Sequence, residues 1–487
     1  MKTSFVRSLL VLVVAGRGTT ALAQSPGTFA ATGSMATPRA SHTATLLTNG
    51  MVLIAGGSAD FTGPLAAAEL YDPDKGTFSP AGAMTSARMG HTATVLPDGK
   101  VLIAGGAVSA DQSFVPSNGA EIYDPSTGAF AVTGNMLFGH VCQQAVLLGN
   151  GKVLIVVGSG ANGGPSNSEL YDPATGTFAP AGTYATNTFD FNTCQGGVAA
   201  LLPDGKVLIV WEGTHAEIYD PDAGSFTATA TPRSAQYFDD GLPAAALLLN
   251  GQVLVAGGAD VWEMYASAES YDPSIGTYTA TGSMATGRAE NTATLLPDGT
   301  VLMAGSALFG GGALASAELY DPVAGAFTPT GEMTTTRSMH TATLLNNGGV
   351  LIAGGSTFGR TTRLADIYNP NVLSLAPKLF ALAGGSIVQG AIWHASTGAI
   401  ASPDSPAVAG EVLSMYTTSL SGSGLIPPQV AIGGRLAGIV YFGAAPGYPG
   451  YNQVNFRVPS GVTAGSAVPV RLTYITRPSN AVTIGVQ

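Results

Sequence analysis

Charge is scarce in this chain of 487 residues: 10% are Asp, Glu, Lys or Arg, and only 19 are basic. There is no basic run and no patterned stripe of lysine and arginine, which argues against a nucleic-acid partner. Cysteine is nearly absent. With Cys142 and Cys194 alone, no Cys-x-x-Cys pair or metal-ligand spacing can form. No Asp-x-Asp-x-Asp loop is present, so a calcium loop of that kind is excluded. Apolar runs are short as well. Ser8 to Ala15 falls far below the roughly 20 residues that span a bilayer, and no later segment reads as a membrane span.

What the chain has in quantity is turn residues: 66 Gly and 30 Pro at regular intervals, the mark of many short strands joined by turns. A unit of about fifty residues recurs, and each copy carries four apolar runs. In the second copy they are His91 to Leu96, Val101 to Gly106, Glu121 to Pro125 and Gly128 to Phe130. A Tyr-Asp-Pro element fixes the count, recurring at Tyr71, Tyr123, Tyr171, Tyr219, Tyr271 and Tyr320 and, as Tyr-Asn-Pro, at Tyr368. Four strands per unit is one propeller blade, so the expected fold is all-β, a seven-bladed propeller.

Residues 1–23 read as a signal peptide, with Lys2 and Arg7 as its basic start and Ala21-Leu22-Ala23 as its cleavage site. Secretion, or delivery to the periplasm or cell surface, follows. The net charge of −11 does not point to cationic partners. Glu69, Glu121, Glu169, Glu217, Glu269, Glu318 and Asp366 form one repeat column, and the Asp-Pro and Asp-Gly turns supply further acids, so more than half of the 30 acidic residues belong to the scaffold.

Within a unit, Leu-Pro-Asp-Gly joins the first two strands (Leu96 to Gly99, Leu202 to Gly205, Leu296 to Gly299), and Asp-Pro-x-x-Gly joins the last two. The links from second to third strand, and from fourth strand to the next first strand, are long and variable. Tight turns therefore collect on one face and variable loops on the other, where a ligand site is to be sought. Gly27-Thr28-Phe29 is a fourth-strand sequence ahead of any first strand, while the last unit lacks one. The segment Thr28 to Thr32 is expected to pair with residues 340–370 and close the ring.

The diglycine ending the second strand, the tyrosine in the third and the aromatic in the fourth resemble the kelch repeat over residues 27 to 371. That likeness implies the propeller of galactose-oxidase-like proteins, across residues 24–372. The diglycine weakens at Val157-Gly158, Trp211-Glu212 and Gly305-Ser306. Residues 373–487 change character, with strand-like runs at Glu411 to Tyr416, Gln429 to Ile432, Gly438 to Phe442, Gln453 to Val458 and Val468 to Tyr474. Tyr451 to Pro459 and Gly465 to Val470 resemble an Ig-like sandwich module of secreted soil-bacterial proteins. Copper radical oxidases of the propeller family require a tyrosine adjacent to a histidine, a tyrosine cross-linked to a cysteine, and a histidine from the C-terminal domain. This chain has no Tyr-His pair, and His394 is its only histidine beyond the propeller. The resemblance thus implies fold and disfavours that chemistry.

Two columns could carry chemistry. Arginines stand at Arg39, Arg88, Arg288 and Arg337, with Arg233 equivalent and His140 and Cys194 in their place in blades 3 and 4. Three residues later come His42, His91 and His340, replaced by Asn291 in blade 6. A histidine ring would suggest metal, but residues repeated in several copies serve the scaffold, and pairing of the arginines with third-strand carboxylates is expected. No metal or other cofactor is called for.

The distinctive signal lies where the repeat breaks. Blades 4 and 5 carry Tyr184 to Asn192, Trp211-Glu212, Gln236 to Asp240 and Asp260 to Tyr265 on the variable face. Asp190, Trp211, Glu212, Tyr237, Asp239, Asp240, Trp262 and Glu263 combine aromatic rings with carboxylates, as sugar recognition needs: rings stack on C–H patches and acids accept hydroxyl protons. The alternative is that the aromatics plug the loops onto the scaffold. Cys142 and Cys194, both near first strands of neighbouring blades, are expected to form a structural disulfide. The expected function is recognition of a carbohydrate or an extracellular protein by a monomer. A metal-independent sugar-active enzyme, which would need two carboxyl groups about 5 to 9.5 Å apart, and a purely structural surface protein stay open.

Overall fold

The computed structural model describes residues 27–61, 63–108, 115–141, 143–156, 167–185, 197–211, 215–232, 243–260, 262–371, 374–382, 388–420 and 425–487. The expected leader, both cysteines and Arg233 lie outside them.

Seven four-stranded antiparallel sheets form the propeller. In blade 1 the strands are Thr43–Leu46, Val52–Ala55, Ala67–Asp72 and Thr77–Ala83. The first strands form the innermost circle, each beside the next, with Thr341–Leu344 of blade 7 beside Thr43–Leu46. The ring closes as the sequence implies. Thr28–Ala31 pairs with Ala365–Asn369, setting Phe29 opposite Tyr368, so blade 7 takes its fourth strand from the N-terminus.

There is no single core. The second strands, such as Val-Leu-Ile-Ala at Val52–Ala55, are wholly buried because each lies between two neighbouring blades, and a strand covered on both faces reads as an unbroken apolar run. Its pleat divides the work: Val52 and Ile54 pack toward blade 7, while Leu53 and Ala55 pack toward blade 2. The same arrangement repeats between every pair of neighbours. In all seven blades the third-strand tyrosine stacks on the fourth-strand aromatic, with centroids 4.8 to 4.9 Å apart.

The remaining strands build a second body. Ile392–His394, Val412–Thr417 and Asn452–Arg457 make one leaf; Gln429–Ile432, Gly465–Tyr474 and Val482–Val486 make the other. Arg435–Ala444 belongs to both: its first residues pair with Gln429–Ile432 and its last with Asn452–Arg457. Leu413, Met415, Val454 and Phe456 from one leaf meet Val430, Ile432, Val470 and Ile484 from the other in one enclosed core. This sandwich sits against the tight-turn end of the propeller. Leu425 N–H donates to Leu249 C=O at 2.8 Å, Ala376 N–H to Asn346 C=O at 2.7 Å, and Gly434 packs on Asp98. Among the described residues, these contacts between the two bodies fall at that end.

Candidate functional site

The repeated charged residues are scaffold. Arg39 bonds Glu69 at 2.8 Å, Arg88 bonds Glu121 at 2.9 Å, Arg288 bonds Glu318 at 2.9 Å and Arg337 bonds Asp366 at 2.8 Å, all buried. Each guanidinium also donates to two backbone carbonyls, as Arg39 does to Gly56 and Ala67, so it staples the second-to-third-strand link of its own blade. His140 does replace arginine in blade 3, at 3.2 Å from Glu169.

The histidine column joins blade to blade. His91 Nε2 bonds Thr43 Oγ1 at 3.0 Å, His42 Nε2 bonds Thr341 Oγ1 at 3.1 Å and His340 Nε2 bonds Thr292 Oγ1 at 3.2 Å. Burial next to an arginine drives these imidazoles to the neutral form: His91 and His340 are pushed down to about 3, and His42 falls well below its usual range. The diglycine exists to admit them. A Cβ on Gly56 would lie 2.7 Å from the His91 ring, and one on Gly57 would lie 2.8 Å from His42 Cβ.

Of the eight residues chosen from the sequence, Asp190, Glu212, Tyr237, Asp239 and Asp240 lie outside the described residues. Trp211 is a correction. It occupies the first glycine position of the blade 4 repeat, but with 4% of its surface exposed it is part of the core between blades 3 and 4. Its indole meets Tyr184 edge-on at 5.0 Å and covers Gly197, which stands where other blades carry histidine. Blade 4 exchanges a histidine and a glycine for a glycine and a tryptophan, filling similar space by other means. Tyr184, also taken for a loop residue, is buried with its hydroxyl 2.5 Å from Ser168 Oγ.

Trp262 behaves in the opposite way, with 85% of its surface exposed. Its turn is braced by Asp260, whose Oδ1 accepts the backbone N–H of Trp262 and of Glu263 at 2.7 Å each, while Tyr265 OH donates to Oδ2 at 2.6 Å. These bonds hold the Asp260 carboxyl below its usual range. Asp260 is thus the support of the turn, and Trp262 and the exposed Glu263 are what it presents. Two more rings stand out on the same face: Phe309 is 51% and Phe358 is 74% exposed, at the tips of the second-to-third-strand links of blades 6 and 7. Those tips touch, Phe358 N–H donating to Gly311 C=O at 2.5 Å.

A feature that sequence reasoning missed lies at the axis. Ser41, Gly90, Glu290 and Met339 each stand one residue ahead of the histidine column, with φ of 52, 61, 53 and 49°. Their backbones link in series around the channel mouth: Gly90 N–H to Ser41 C=O at 2.9 Å, Ser41 to Met339 at 3.4 Å and Met339 to Glu290 at 3.4 Å. Three residues with side chains in the left-handed region, each costing on the order of 1 kcal/mol or more, mark a point of stored strain. Burial raises the Glu290 carboxyl, against a hydrogen bond from Ser338. Aligning the repeats on Gly90 would have found this column.

Among the described residues, no group of three or more His, Cys, Asp and Glu side chains is placed to hold a metal. His394 is tied within the sandwich, Nδ1 at 2.5 Å from Glu411 and Nε2 at 2.9 Å from Ser405 C=O. No helix among the described residues is long and apolar enough to cross a membrane.

No protein-family model matches the chain, and no curated protein does. Among solved structures it is similar to a fungal alcohol oxidase of the AA5 family, in complex with copper, at 16% identity and a TM-score of 0.64 over 95% of this chain and 100% of that one. At that identity the likeness is one of fold: a seven-bladed propeller followed by a second all-β body, built as in the galactose-oxidase-like proteins.

Proposed function

We propose that the chain is an exported kelch-type propeller that recognises carbohydrate on its variable-loop face at blades 4 and 5, its Ig-like module serving as a spacer or attachment element. The observation that carries this reading is Trp262. An indole held out of the core on a turn braced by three hydrogen bonds accepted by one carboxylate is displayed, and a displayed ring beside Glu263 suits the C–H face and hydroxyls of a sugar. Trp262→Ala should abolish binding on a glycan array while leaving the melting temperature unchanged, since the ring packs on little. Retained glycan binding would remove blade 5 from the site.

An extracellular protein partner is the second reading, favoured by the paired apolar tips Phe309 and Phe358. Copper chemistry like that of the similar oxidase finds no matching donor set among the described residues. His42, His91 and His340 spend Nε2 on threonine hydroxyls, His140 spends Nε2 on Glu169, and both nitrogens of His394 are engaged.

A further inference from the structure

Where the sandwich meets the tight-turn end of the propeller, the two bodies leave a cleft of about 850 Å³. Its floor is formed by Leu201, Leu247 and Leu295, the last residues of the first strands of blades 4, 5 and 6, and its roof includes Ile426, Ile439 and Phe442 of the sandwich. We propose that this cleft is a binding site for a neutral aliphatic molecule of single-acyl-chain size.

Three observations support it. The volume falls within the roughly 300–1,000 Å³ of small-molecule sites, which favour junctions between domains. Filled with water it would hold a few tens of molecules at ~30 Å³ each, against walls made mostly of Leu, Ile, Val, Ala and Pro, with Asp204, Gln429, Tyr441, Thr473 and Thr476 as the polar side chains. The only charged lining residue, Asp204, spends Oδ1 on the N–H of Lys206 at 3.1 Å, and a lone carboxylate disfavours an anionic ligand.

The cleft is also held open by design of the chain. The Leu425–Leu249 and Ala376–Asn346 backbone bonds pin the sandwich at separate blades. On one wall the hairpin turn Ile475–Thr476 has φ of 49 and 59°, a conformation that β-branched residues rarely adopt. That turn places Ile475 against both the sandwich core and the core between blades 6 and 7, so the two bodies meet through a shared contact beside the space.

The test uses Nile red as probe and 1-decanol as competitor. Gly438 lines the cleft and nothing lies within 4 Å of a Cβ built on it, so Gly438→Trp is the variant chosen to obstruct the space. The full-length protein should bind one equivalent of Nile red saturably, 1-decanol should displace it, and Gly438→Trp should weaken binding at least tenfold at an unchanged melting temperature. Gly438→Ala should bind as the parent does, and Gly438→Leu replaces the tryptophan variant if that one melts early. No saturable binding, or equal binding by the filled variant, overturns the site; binding that decanol fails to displace overturns the aliphatic assignment.

Discussion

A Cβ built on Gly197 would stand 2.8 Å from Cε3 of Trp211, so these two residues occupy one space that other blades fill with a histidine against a diglycine. The pair explains how blade 4 departs from the repeat without losing its packing. Gly197→Ala should therefore overpack the core, lowering stability by about 1–3 kcal/mol. Chemical denaturation would show this, and an unchanged midpoint would mean that both the Val210 carbonyl, 2.7 Å from the added Cβ, and the indole can give way.

Arg337 and Asp366 form a buried pair at 2.8 Å, and the guanidinium also holds the carbonyls of Gly354 and Leu364 at 2.9 Å each. Removing one member leaves the other charged and enclosed. Arg337→Met should cost about 3–5 kcal/mol, and the double change with Asp366→Leu should recover part of that loss. Equal destabilisation by the single and double variants would show that the carbonyl bonds, not the ion pair, dominate.

Acid should weaken the propeller before carboxylates titrate. His91 and His340 are held at about 3 when folded, against about 6.5 in an unfolded chain. Between those values the unfolded state binds more protons, so stability rises with pH across this window and is lost as pH falls from about 6.5 toward 3. Melting temperatures recorded from pH 7 to 4 should fall, and His91→Gln should flatten the slope. A slope identical in the variant would place the titration elsewhere.

Deleting residues 1–32 removes the strand Thr28–Ala31 and leaves Ala365–Asn369 as a bare edge. Exposed strand edges recruit other chains. The truncated protein should form dimers or larger species by size-exclusion chromatography; a well-behaved monomer would show that ring closure is dispensable.

Glu290 and Met339 adopt φ of 53 and 49° at the channel mouth. If strain there is retained for function, Glu290→Gly should leave stability unchanged or raise it by up to about 1 kcal/mol while altering ligand binding. A marked loss of stability would instead assign Glu290 to the scaffold through its bond with Ser338.

The sequence by itself determined the fold: the blade count from Tyr71 to Tyr368, the pairing of the Thr28 to Thr32 segment with the last blade, and the arginine–carboxylate clamps, because a repeated unit must satisfy the same local hydrogen bonds and pleat in every copy. The candidate site was legible only in part. Trp211 and Trp262 look alike as sequence, each an aromatic next to a glutamate where the repeat breaks, yet one fills the void over Gly197 and the other stands in solvent on Asp260. Glu290 and the cleft lined by Leu201 and Leu247 were not visible at all. Burial, backbone strain and the space between two bodies depend on which distant segments meet, and chain closure, not local composition, decides those meetings.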